Sequence, residues 1–294
     1  MTEVNMHIVT DSGADLSFEE CKALGVHMLP LQVEVDGIPY QSGVDITPER
    51  FYELMDAAEN MPKTSTPSVG DFVELYNRLA KEDPEILSVH ISSGLSATAN
   101  TARTAAKLAE NANVTIVDTL SLSAGTQWQV LAAVALARAG ETMESIVAKL
   151  KQVQQATLVH FTLPDLKYLI AGGRISHLKG MLASLLGIKP IIQVDQEDGK
   201  YYDKAKVRSF QKAISQIPQL LLKFHPEGTE LQAQIATAAN PEGGQMLRDA
   251  MDKIFKCTWL PETSIGTALG AHTGRGLVGV ITAAKKALPE IPSL

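Results

Sequence analysis

The sequence predicts a two-domain α/β protein. Residues 1–157 form an N-terminal domain on a mainly parallel, doubly wound sheet, and residues 158–294 form a C-terminal α/β domain with a mixed sheet. Three observations carry this reading. Short apolar runs alternate with helical stretches through the first half, as βα units do. The 294 residues are enough for two cores. Near Ala156 the character of the chain changes, and a strand, a Gly-Gly turn and a segment apolar on nearly every side follow.

Taken in order, Met6–Val9 reads as a first strand ending in a polar turn, Thr10 to Leu16. Ser17 caps a helix, with Glu20 at capping-box spacing. Val26–Val35 reads as one strand, and Asp36-Gly37 turns it into a hairpin with Ile38–Tyr40. Thr47-Pro48-Glu49 opens a helix through Met55, with Pro at its first position. Pro62–Ser68 holds two prolines and reads as an extended loop that cannot pair fully in a sheet. Ser68 then caps a helix over Val69–Lys81.

The stretch Ser88–Ala102 is the organising one. The strand Ile86–Ile91 runs into a Ser/Gly turn, and an alanine-rich helix begins near Ala97 with Ser96 as its expected N-cap. Free N–H groups and the helix dipole make such a turn a seat for a carboxylate or phosphate. Val114–Val117 is a strand, and helices follow through Ala139 and from Thr142 to Gln155.

In the second half, Thr157–Thr162 is a strand and Leu163–Ile170 a short helix. Met181–Leu186 reads as a helix surrounded by protein. Ile188–Val194 is a strand with Pro190 marking an edge or bulge. Tyr201–Ala205 is a strand and Val207–Lys223 a helix. Leu231–Ala238 is a strand, Pro241–Phe255 a helix, and Thr258–Leu260 and Ser264–Leu269 are strand-like. His272 falls in a Gly-flanked turn.

A net charge of −7 argues against a broad nucleic-acid or anionic-membrane surface. Two distant cysteines give neither a zinc pattern nor a disulfide framework, and fit a reducing cytoplasm. No signal peptide and no membrane-spanning run is visible. Gly274-Arg275-Gly276-Leu277-Val278-Gly279 matches the dinucleotide fingerprint by letters, but too little chain follows for its βαβ unit. His90 reads as a core histidine. Gly94-Leu95-Ser96-Ala97-Thr98 is a near miss to a nucleophile elbow. A serine acyl hydrolase with Ser96 as nucleophile, His272 as base and Asp11 or Asp118 as orienter therefore stands as an alternative.

Several separate segments agree with one family. They are Thr10-Asp11-Ser12 with Asp15-Leu16, Lys63-Thr64-Ser65-x-Pro67-Ser68, Ser92-Ser93-x-Leu95-Ser96-x-Thr98, Asp118-Thr119, Gly173-Arg174-Ile175-Ser176, Lys189-Pro190 and His272-x-Gly274. In order and spacing, over nearly the whole chain, they resemble the DegV family. The resemblance implies a non-catalytic carrier with no cofactor or metal, holding a long-chain fatty acid between its two domains. It further implies that the carboxylate is presented to a partner fatty acid kinase, which makes an acyl phosphate for phospholipid synthesis.

Carried over by motif, the carboxylate contacts would be Thr64, Ser65, Ser96 and the amide of Ala97, with Arg174 and His272 in support. The acyl tunnel would draw on Phe161, Leu163, Leu166, Leu169, Leu182, Leu185, Leu186, Ile188 and Ile191. A basic cluster of Lys204, Lys206, Arg208 and Lys212 would face the kinase, or else be an ordinary solvated helix face. Ala97 stands where Gly is usual, and Arg275 stands where Pro is common and is expected to bring positive charge to the entrance.

Overall fold

A computed structural model describes residues 6–175 and 187–291. The first half is laid on strands β1 (His7–Asp11) and β2 (Val26–Leu29), joined by α1 (Phe18–Leu24). Ser17 and Glu20 cap α1 reciprocally, as the sequence requires. The single strand expected over Val26–Val35 is two. Pro30 has no N–H to continue a ladder, so the chain breaks there and resumes as β3 (Gln32–Val35) in a different sheet. Asp36 and Gly37, both at positive φ, turn β3 into β4 (Ile38–Gln41).

Helix α2 (Pro48–Ala57) follows. Within the extended loop expected to pair only partly, Lys63–Ser65 makes a three-residue strand β5 against β3. Ser68 caps α3 (Val69–Leu79), with Asp71 completing the box. Strand β6 (Glu85–His90), helix α4 (Thr98–Ala106), strand β7 (Asn113–Asp118) and helices α5 (Ala124–Arg138) and α6 (Met143–Ala156) complete this half.

Strands β2-β1-β6-β7 form an all-parallel sheet, and β4-β3-β5 a small antiparallel one. One face of the parallel sheet packs Val9 and Ile86 against Phe72, Leu75, Tyr76 and Ala102 of α3 and α4. The other face turns toward the apolar α5, whose residues are buried on nearly every side.

The second half begins with β8 (Leu158–Thr162). The helix expected over Leu163–Ile170 starts only at Lys167 (α7, Lys167–Ala171), after Pro164. The expected helix over Met181–Leu186 lies outside the described residues. Strand β9 (Lys189–Val194) pairs on both sides, with β8 and with β10 (Tyr201–Val207), so Pro190 does not mark an edge strand. It is tolerated because it lies beyond the last β8 pair, Thr162 with Ile191.

Helix α8 (Phe210–Leu221) starts three residues later than expected, because β10 runs through Val207 and Ser209 caps the helix. Strand β11 (Glu230–Thr237), helix α9 (Pro241–Asp252), and strands β12 (Lys256–Trp259) and β13 (Thr263–Ser264) follow. The strand-like reading of Ser264–Leu269 fails beyond Ser264: Thr267–Thr273 is helix α10. Strand β14 (Val278–Ala284) returns through the centre of a mixed sheet ordered β10-β9-β8-β14-β11-β12, with β13 also on β11.

Leu158, Ile191, Val278 and Val280 on one face of this sheet pack against α8 and α9. The opposite face shares a continuous core with the first half, in which Val159, Phe161 and Ile281 meet Ala124, Trp128 and Leu269. Within that interface Trp128 Nε1–H donates to Gln234 Oε1 at 2.5 Å. Gln234 Nε2–H in turn donates to Gln127 Oε1 at 3.1 Å and Thr263 Oγ1 at 2.5 Å. No helix among the described residues is long and apolar enough to cross a membrane.

Candidate functional site

Open parallel sheets place ligands beyond the carboxyl ends of their strands, and the site lies there, above β1 and β6. A buried relay sets the frame. His90 Nδ1–H donates to Asp11 Oδ2 at 2.9 Å, and Asp11 also accepts the N–H groups of Ile91 and Gly13. His90 Nε2 lies 2.6 Å from Ser88 Oγ, and Tyr76 hydrogen-bonds Ser88 in turn at 2.8 Å. His90 is thus the satisfied core histidine the sequence suggests.

After β6 the backbone folds tightly. Leu95 and Ser96 N–H both donate to Ser92 O, while Ser92 Oγ–H reaches Gly199 O at 2.9 Å. Gly94 packs so closely on the β9–β10 turn that a Cβ there would lie 2.3 Å from Asp198 O. The serine turn of one half and the hairpin of the other are locked together, which brings Lys200 and Tyr201 beside Ser96.

The helix start differs from expectation by one residue. Ala97, not Ser96, is the N-cap of α4, and it makes no side-chain cap bond. Ser96 Oγ lies 2.8 Å from Thr98 Oγ1 and accepts Thr98 N–H at 3.3 Å. Ser96 Oγ thus takes the first amide of α4, and the next two, of Ala99 and Asn100, are left for other acceptors.

His272, expected in a turn, sits in the last turn of α10. Its Nε2 lies 2.7 Å from Thr64 Oγ1. Its ring lies so close to Gly172 that a Cβ there would lie 2.1 Å from Nδ1, and among the described residues Nδ1 has no partner. Burial, with the Arg174 charge adding to it, pushes the His272 pKa down to about 4, so the ring is neutral at pH 7. Arg174 donates from Nε to Leu95 O at 3.2 Å and from Nη1 to Gly172 O at 2.6 Å. Burial lowers its pKa, and Tyr201 opposes that shift.

Thr64, Ser65, Ser96, Arg174 and His272 together line one small enclosed cavity of about 50 Å³. Its other walls are Leu31, Thr66, Ile91, Leu95, Tyr201, Ala268 and Leu269. Ala97 lines an adjoining open groove of about 350 Å³ that shares Leu95, Ser96, Arg174 and Tyr201 with the cavity. Leu31, Ile91, Leu269 and Tyr201 carried no functional signal in the sequence. They belong to distant stretches of the chain that only folding brings to one point.

The apolar candidates divide. Phe161, Leu163, Leu166 and Leu169 are buried in the core shared by both halves, and Phe161 packs edge-on against Tyr201 at 5.3 Å. Ile191 faces α8 on the other side of the sheet, because it alternates with Ile192 along β9. Ile188 is half-buried just before β9, and Leu182, Leu185 and Leu186 lie outside the described residues.

Lys204 and Lys206 are exposed on β10, Arg208 follows that strand, and only Lys212 is on a helix, so the four do not form one helix face. Lys206 pairs with Asp203 at 3.1 Å. Arg275 pairs with Asp56 at 3.1 Å, so its charge is spent away from the cavity.

The geometry does not assemble a hydrolase triad. His272 Nε2 faces Thr64 rather than Ser96, and no carboxylate holds its Nδ1. Asp11 is committed to His90, and Asp118 to Arg103 and the amides of Ser93 and Leu120. Among the described residues no cluster of three or more metal-ligating side chains occurs.

Comparison with known proteins agrees with this architecture. A DegV domain-containing protein of Staphylococcus aureus is 34% identical over 278 residues, covering 95% of this chain and 98% of its own. A structure described as fatty acid binding of a DegV family protein from Thermus thermophilus superposes with a TM-score of 0.86 at 28% identity, covering 96% of this chain and all of the other. DegV of Bacillus subtilis, described as a fatty acid binding protein, gives 0.85 at 29% identity, with 96% and 99% covered. The sequence model of the DegV family, still described as uncharacterised, matches residues 5–285, and the chain belongs to that family.

Proposed function

We propose that this protein binds a long-chain fatty acid and is not itself an enzyme. The observation that carries the reading is the enclosed cavity where the hydroxyls of Thr64, Ser65 and Ser96, a neutral histidine and a guanidinium converge beside the first turn of α4. His272 Nε2–H donates to Thr64 Oγ1, leaving the Thr64 hydrogen to turn toward the carboxylate. Ser96 and the Ala97 amide supply further donors, and Arg174 supplies the opposite charge. Charge-assisted bonds of this kind are about twice as strong as neutral ones.

The acyl chain leaves past Leu31, Ile91 and Leu269 into the core shared by both halves, where Phe161, Leu163, Leu166 and Leu169 lie. Each methylene moved out of water contributes about 0.8 kcal/mol, so the chain supplies most of the affinity. The fatty acids bound by the Thermus and Bacillus relatives support the same ligand here.

The protein presents its ligand to a separate fatty acid kinase. Strand β10 lies at the edge of its sheet and begins at Tyr201, on the cavity wall. Lys204, Lys206, Arg208 and Lys212 follow along it and the start of α8, so a partner seated on this basic edge reaches the carboxylate.

Mass spectrometry of the purified protein, native and then after organic extraction, tests the reading. One equivalent of a fatty acid of defined chain length is expected. A protein that arrives empty and takes up no added fatty acid would overturn it.

A further inference from the structure

A separate cleft of about 860 Å³ shares no wall residue with the carboxylate cavity. Thr267 of α10 lines the cleft, whereas the next two residues, Ala268 and Leu269, line the cavity. Both halves of the chain build it, from α1 and the start of α2 to residues 260–264. Leu16, Leu24, Ile46, Leu131 and Leu260 give it apolar walls. Every ionisable side chain on it is a carboxylate: Asp15, Glu20, Asp45, Glu49 and Glu262. Among the described residues none of the five has an ion-pair partner. Arg138, which donates to Leu24 O at 3.0 Å, does not line the cleft.

Glu20, Asp45, Glu49 and Glu262 are exposed, and by themselves they ask for no ligand. Asp15 gives an independent pointer. Its Oδ1 accepts Gly266 N–H at 2.9 Å, but its Oδ2 is buried with no partner among the described residues. Ser123 stands near it, outside hydrogen-bond geometry. A buried carboxylate oxygen left unpaired is costly. Burial raises the Asp15 pKa to about 7, and no cation opposes that shift.

We infer that the cleft binds a linear aliphatic polyamine, its ammonium groups at the carboxylates and its methylenes against the apolar walls. Among the described residues no three of the carboxylates stand close enough to share a metal ion. The negative charge is spread along the walls instead, which suits a chain carrying several separated positive charges. One ammonium reaches Asp15 and gives its unpaired oxygen a charge-assisted hydrogen bond. The methylenes cover the leucines while the charged groups stay at the carboxylates, as long cationic side chains do on apolar surface. The volume lies within the usual range for small-ligand sites.

Calorimetry of the whole protein with spermidine tests the assignment, at about 0.15 M salt so that attraction between exposed charges is screened. Saturable binding is expected, weakened at least about 10-fold in Asp15→Asn and at least about 3-fold in Glu262→Gln. Asn and Gln keep acceptors for Gly266 N–H and Thr237 Oγ1–H, so both variants are expected to fold. Glu230→Gln removes an exposed carboxylate outside the cleft and is expected to bind spermidine as the wild type does. Equal weakening in all three variants would reveal only a general attraction to an acidic chain and would overturn the proposal. So would the absence of saturable binding to the wild type. Because the two spaces share no residue, the result stands apart from the fatty-acid reading.

Discussion

Thr64 and His272 lie 208 residues apart in the chain, yet hydroxyl and imidazole meet at 2.7 Å on the wall of one cavity. Neither residue is placed by its own element alone. Thr64 is on β5, which pairs with β3, and His272 ends α10, which packs against β3, β5 and α2. The carboxylate seat is therefore a product of the junction between these elements.

Replacing Thr64 and Ser96 together with Ala removes two donors to a charged ligand. Hydrogen bonds to charged groups are worth about 1.5–3 kcal/mol each. Fatty-acid affinity is expected to fall by about 100-fold or more, with the fold intact by circular dichroism. Unchanged retention in the double variant would refute the head-group assignment.

His272 makes stability depend on pH. Its folded pKa of about 4 lies below the ordinary 6.5, so the unfolded chain binds more protons between those values. Stability is expected to fall as the pH drops from about 6.5 toward 4, by up to about 3 kcal/mol. Buried His160, whose ring nitrogens have no partner among the described residues and whose pKa is pushed down to about 3, adds a loss of the same sign. Urea unfolding across this range checks both, and His160→Leu is expected to flatten the fall.

Asp15 acts in the opposite direction. Burial raises its pKa to about 7, although its carboxylate accepts the Gly266 N–H at 2.9 Å. Because the folded value lies above the ordinary 3.8, its contribution is full below pH 3.8 and is lost as the pH rises through 7. Asp15→Asn keeps an acceptor for Gly266 and is expected to narrow the difference in melting temperature between pH 5 and pH 8. An unchanged difference would show that this carboxyl does not titrate there.

Gly94→Ala tests the lock between the serine turn and the β9–β10 hairpin. The new methyl would lie 2.3 Å from Asp198 O, so the hairpin must move. Overpacking of this kind costs about 1–3 kcal/mol. A lower urea midpoint is expected together with weaker fatty-acid retention, since Tyr201 moves with the hairpin.

Gln234→Ala removes the acceptor of Trp128 and a donor to Gln127 within the shared core. Leaving buried polar atoms unpaired costs about 1–3 kcal/mol. Denaturant unfolding is expected to show that loss without a change in head-group affinity.

What the sequence determined by itself was local. The capping boxes at Ser17 and Ser68, the Asp36-Gly37 turn and the βα alternation are each set by residues within a few positions of one another, so the parallel strands β1, β6 and β7 and most helices were legible. Tertiary structure decided what depends on distant partners. Val26–Val35 has the pattern of one strand, but its two halves belong to different sheets. Ser264–Leu269 has strand-like residues, yet all but its first residue enters α10 or leads into it, with Asp15 accepting the amide before that helix. Ser65 and Ala97 carried the family motif but are exposed, one at the cavity and the other in the groove. Leu31, Ile91, Leu269 and Tyr201 carried no motif and form the walls. The reason is that caps and turns are satisfied within one stretch of chain. A cavity is defined by surfaces from several stretches, and no single stretch records the others.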